Sequence, residues 1–126
     1  EYSVTDAGRT ALADWIATTT PRPAFRSEIA VKLRGASYGD RAALLADVTE
    51  LLADHRTRLA HYESLAARDY PEPDRLHGAD LDTYLVIVGG ILQETFWIAW
   101  LTEYLQAHEV SRLAGARTST TERSAR

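Results

Sequence analysis

Residues Asp80 to His108 read DLDTYLVIVGGILQETFWIAWLTEYLQAH, and the fold turns on this stretch. Apolar side chains occupy nearly every face of the helix it would form, and a helix apolar all round has to be covered on all sides. The run from Leu81 to Leu105 is long enough to span a bilayer, but Asp82, Gln93, Glu94 and Glu103 interrupt it, and carboxylates are costly in lipid, so no membrane is expected. Gly89-Gly90 in mid-run lowers helix propensity and suggests a backbone held close to a neighbouring element. Two arrangements supply the cover. The helix is either the centre of a monomeric bundle, or it packs on its own domain on one side and on a second copy of the chain on the other. The chain offers only one other long helix to shield it, which favours the dimer.

A chain of 126 residues makes one domain with a modest core, and 45% hydrophobic with 25% charged residues is an ordinary globular composition. Without cysteine there is no disulfide framework, thiol nucleophile or cysteine-bound zinc, which fits a reducing, cytoplasmic setting. The start at Glu1, with no initiator methionine and no signal-like segment, reads as a processed or truncated piece. The net charge of -4 is unevenly spread: from Ser111 onward four arginines face only Glu122, leaving -7 on residues 1–110. An acidic body is a poor match for a phosphate backbone, so this part should not hold nucleic acid well by itself. The polar residues 111–126 read as a disordered tail.

Taken in order, Glu1 to Val4 alternates like the last residues of a strand, and Thr5 caps a helix to about Ala17 with Ala11, Leu12, Trp15 and Ile16 on one stripe. Thr18 to Pro23 breaks it, a joint that sets residues 1–20 apart from a domain at 21–110. Phe25 to Ser37 is ambiguous: Ile29, Val31 and Leu33 alternate like a strand, while Ser27-Glu28 resembles a helix start. Asp40 caps a long helix from Arg41 to Arg68 in which Leu45, Val48, Leu52, His55, Leu59, Tyr62 and Ala66 form an a/d seam, widened by Leu44, Leu51 and Leu65. Asp47, Glu50, Asp54, Arg56 and Glu63 lie off it on a solvated face. A proline-containing loop from Tyr70 leads to the final helix, with Asp80 or Asp82 as its cap. The fold class is all-α, a helical bundle with a long heptad helix, a buried last helix and a strand remnant at the N-terminus. Leu45, Val48, Leu52, Leu59, Leu85, Val88 and Leu92 are the candidate surface between two subunits.

Site chemistry is sparse. His55 and His61 are six apart, on different faces of one helix, and His77 and His108 lie elsewhere, so no metal site is expected; His55 on the seam reads as a buried histidine bonded to a partner. No facing carboxylate pair, glycine-rich phosphate loop or Ser-His-Asp set is present, so the expectation is no enzyme and no cofactor. Phe96, Trp97, Trp100 and Tyr104 are the candidate ligand-binding surface, with Glu94 one turn earlier as a polar anchor. The competing reading is core and subunit packing for the rings, and for Glu94 an ion pair with an arginine.

YSVTDAGRTALADWI, with Tyr2, Val4, Thr5, Gly8, Leu12 and Trp15, resembles the end of the wing strand and the linker helix of PadR-family transcriptional regulators. Arg26, Glu28, Lys32 and Leu33, and later Trp100-Leu101, fit the same resemblance. It implies a helix over Phe25 to Ser37 and a homodimeric C-terminal domain. It also implies a planar aromatic or phenolic effector, and DNA bound only through a winged helix-turn-helix upstream of Glu1. The alternative is a stand-alone helical module for a small molecule or protein, without a DNA target.

Overall fold

The computed structural model describes residues 3–23 and 27–125, and it is all-α. The chain divides into two compact units, residues 1–31 and 32–126. In the first unit, helix α1 (Asp6–Ile16) starts where Thr5 Oγ1 accepts a hydrogen bond from the Gly8 N–H at 3.1 Å, with Asp6 in the first turn beside the positive end of the helix dipole. Leu12, Trp15 and Ile16 share a stripe that stays exposed. Glu1 and Tyr2 lie outside the described residues, and Ser3 to Thr5 form no strand, because a strand exists only where another strand takes up its backbone hydrogen bonds.

Helix α2 (Glu28–Arg34) is followed by a 3-10 turn at Ala36–Tyr38, which packs on helix α3 (Arg41–Asp69) and buries Ala36. Thus the alternation at Ile29, Val31 and Leu33 belongs to a short helix; Phe25 and Arg26 are not among the described residues. Asp40 caps α3 as read, its Oδ1 accepting from the Ala43 N–H at 3.1 Å. Every residue of the heptad seam is buried or half-buried, and the five charged residues set off it are exposed.

A loop with a 3-10 turn at Pro73–Arg75 reverses the chain into helix α4 (Gly78–Ser124), 47 residues or about 70 Å long. Its cap residue is His77, not Asp80 or Asp82: the backbone enters the helix through Gly78 at φ 59°, a left-handed value that glycine tolerates, and Asp80 falls in the first turn. The α3–α4 hairpin is antiparallel. Tyr70 lies against Tyr84, Tyr62 against Gly90, His55 against Glu94 and Trp97, and Arg41 against Tyr104 and His108. A Cβ on Gly90 would stand 3.2 Å from the Tyr62 ring, so here the backbone is held close to a neighbour, whereas Gly89 has open space.

Beyond His108 the register runs off the start of α3, and residues 109–124 continue as exposed helix where the composition suggested a disordered tail. Extending an existing helix avoids the nucleation cost, Ala114 and Ala116 propagate it well, and Glu109 pairs with Arg112 one turn on. By length and composition alone α4 could cross a membrane, and 11% of its most apolar window is buried within the chain.

Candidate functional site

The centre of the hairpin is polar. Glu94 is 4% exposed, opposite His55 and Arg58 of α3 and two turns before Leu101, which forms the hydrophobic core with Val48, Leu52 and Ala36. An isolated carboxylate there would be strongly disfavoured. His55 Nδ1 donates to Glu94 Oε2, and Arg58 Nη1 donates to Oε1 at 3.1 Å. Burial is the largest single influence on the Glu94 carboxyl and opposes its ionisation. The two hydrogen bonds and the accompanying charges together outweigh it, and hold the group below the usual carboxylate range.

Trp97 lies one turn along α4 from Glu94 and stacks on His55, ring centroids 5.4 Å apart and planes 4° from parallel. Trp100 packs against Trp97 at 5.4 Å, and Phe96 touches both, at 5.6 and 5.9 Å. Glu94, Phe96, Trp97 and Trp100 are therefore brought together, with His55 covering one face of Trp97. Tyr104 stands apart, two turns further along α4, its ring against His108 at 4.4 Å and its hydroxyl 3.3 Å from Arg41 Nη1.

The residues set aside for contact between subunits divide in two. Val48 is fully buried and Leu52 nearly so within the chain's own seam, so these two side chains are occupied inside one molecule, while Leu45 and Leu59 line that seam half-buried. Leu85 and Leu92, in contrast, are 52% and 63% exposed, Val88 is half-buried, and Val86 and Phe96 add to the same open apolar surface of α4.

Three participants were not singled out together beforehand: Arg58, Arg41 and His108. Glu94, Leu101 and His108 are spaced by sevens, which is the register that turns all three toward α3. Arg41 and Arg58 carry no comparable signal, since an arginine on a long helix is usually solvated.

Residues 25–109 match the family described as Virulence activator alpha C-term. A probable transcriptional regulator of Mycobacterium tuberculosis (strain ATCC 25618 / H37Rv), Rv1176c, is 42% identical over 121 residues, covering 88% of this chain and 64% of that protein. The solved structure of the Vibrio cholerae virulence activator AphA is 30% identical with a TM-score of 0.78, covering 87% of this chain and 65% of that one. The chain thus spans a little under two thirds of the length of either. These matches correct the PadR resemblance, for the family they show is a different one. The misleading residues, Val4 to Trp15, are the minimum any capped amphipathic helix requires: a hydroxyl cap, a small residue packed on it, and apolar positions on one stripe. Those residues lie outside the matched segment, whereas Arg26, Glu28, Lys32, Leu33 and Trp100-Leu101 of the same resemblance lie within it, and by that match over more than half of its length this chain belongs to the Virulence activator alpha C-term family.

Proposed function

We propose that this chain is the subunit-joining part of a dimeric, cytoplasmic transcriptional regulator, with DNA contacted by another part of the full-length protein. The observation that carries the reading is the open apolar face of α4. Leu85, Val86, Leu92 and Phe96 are all half or more exposed in the single chain, along a helix whose other face is already taken by α3. Covering side chains of this size contributes about 1 kcal/mol or more each, and a twofold interface would present every one of them twice. Kinship with a probable regulator and with a virulence activator supports the regulatory half of the proposal. The excess of acidic residues over residues 1–110 supports placing DNA contact elsewhere.

Lipid is the other apolar partner to weigh. Asp82, Gln93 and Glu103 recur around the same helix, which favours a protein surface over hydrocarbon. The aromatic cluster, in this proposal, encloses the Glu94 ion pairs on one side while Phe96 reaches the second subunit.

Sedimentation and sequence-selective DNA capture with the full-length protein test both halves. The unaltered protein is expected to be a dimer at micromolar concentration and to retain specific fragments. Leu85→Asp with Leu92→Asp should yield a folded monomer that retains none. A detergent-free monomer in the unaltered protein would overturn the subunit-joining role, and a dimer indifferent to DNA would overturn the regulatory one.

A further inference from the structure

The start of α3 and the middle of α4 enclose a groove of about 750 Å³, separate from the Glu94 cluster and from the open face of α4. Leu45 and Leu105 give it apolar walls, and Arg41 and His108 stand at its edge. Arg41 is half-buried, yet among the described residues it meets no carboxylate. Its Nη1 lies 3.3 Å from the Tyr104 hydroxyl, and 3.3 and 3.1 Å from Nδ1 and Nε2 of His108. A donor nearly equidistant from both ring nitrogens points at the imidazole as a whole and not along one lone pair, so the planar fork of the guanidinium keeps most of its donors for something else. The carboxylate in the groove wall, Glu109, is already held twice by Arg112, at 2.7 and 3.2 Å.

We infer that this groove binds a small organic carboxylate with an apolar body, the carboxylate on the Arg41 fork and the body between Leu45 and Leu105. A guanidinium matches a carboxylate in two parallel hydrogen bonds, a fit that an uncharged polar head cannot reproduce. Partial burial removes competing water, and with Arg112 in the groove wall already paired to Glu109, two leucines beside the Arg41 cation set the preference for an amphipathic acid over a bare inorganic anion. The site is built from the α3–α4 hairpin alone and stands whether or not the chain regulates transcription.

The test uses the whole chain, isotope-labelled, titrated with sodium octanoate and separately with 1-octanol, and followed by amide NMR shifts. Octanoate should produce saturable shifts at Thr49, Gln106 and Ser111, and bind about tenfold or more tighter than the alcohol. Arg41→Gln should remove that advantage, and Arg41→Lys, which keeps the charge without the fork, should restore part of it. Equal binding of acid and alcohol, shifts confined to other regions, or no saturation by about ten millimolar would each overturn the inference. Full octanoate affinity in a folded Arg41→Gln chain would overturn it too. Should that variant fail to fold, the comparison of acid with alcohol on the unaltered chain still decides. If octanoate leaves the groove unshifted and Arg41→Gln changes only the self-association constant, the groove is a subunit contact and the inference falls.

Discussion

At the scale of single residues, Glu94 decides most. A carboxylate at the heart of a hydrophobic seam persists because His55 and Arg58 both donate to it, and removing its charge strands those donors. Glu94→Gln should therefore destabilise the chain by about 2–3 kcal/mol in urea unfolding at neutral pH. Its folded pKa lies below the ordinary value for a glutamate, so on acidification the unfolded chain takes up the proton first. The stabilisation is complete above that unfolded value and is lost as pH falls through the folded one. Urea midpoints compared at pH 6 and pH 3 should show a steeper loss in the unaltered chain than in Glu94→Gln; parallel losses would mean that Glu94 is not the acid-sensitive group. Trp97→Ala should also destabilise, by about 3 kcal/mol, through loss of its stack on His55 and its contacts with the neighbouring rings.

At the scale of elements, α4 changes character along its length. From Tyr84 to His108 it is pinned to α3, and beyond that it continues as exposed helix. Amide hydrogen exchange should show slow protons around Leu101 and fast ones from Ser111 onward, and deleting residues 113–126 should leave the melting temperature within about two degrees. Protection after residue 111 equal to that at Leu101 would show that the extension is held by a partner. The glycine pair gives a second check on the packing. Alanine at position 89 meets open space and gains about 1 kcal/mol of helix propensity, whereas alanine at 90 pushes on the Tyr62 ring. Gly89→Ala should therefore melt higher than Gly90→Ala, the difference being about 1 kcal/mol or more.

At the scale of the whole molecule, the governing fact is how little apolar side chain each described segment buries on its own account: Ala36, Val48, Leu52 and Leu101. A fold with so small a core gains stability by association, so the melting temperature should rise with protein concentration in the unaltered chain and become independent of it in Leu85→Asp with Leu92→Asp. Calorimetry over a hundredfold concentration range reads this directly, and a concentration-independent transition in the unaltered chain would sink the dimer proposal.

What the sequence by itself determined was local: an all-α chain, the caps at Thr5 and Asp40, the heptad face of α3 with its charged residues turned outward, and an apolar surplus on the last helix. Each follows from interactions within a few residues, or from a 3.6-residue period that one helix displays alone. The extent of α4 past His108 escaped, because propensity read residue by residue misses the advantage of extending a helix already formed. The PadR resemblance misled because a capped amphipathic helix is common to many families. Only the tertiary structure decided that His55 and Arg58 neutralise Glu94, that Tyr62 crosses Gly90 and not Gly89, that Val48 and Leu52 are spent inside the chain, and that Arg41 reaches Tyr104 and His108. All four depend on the antiparallel register of α3 and α4. That register brings together residues far apart in sequence, and it is set by the sum of the seam's contacts, not by any one position.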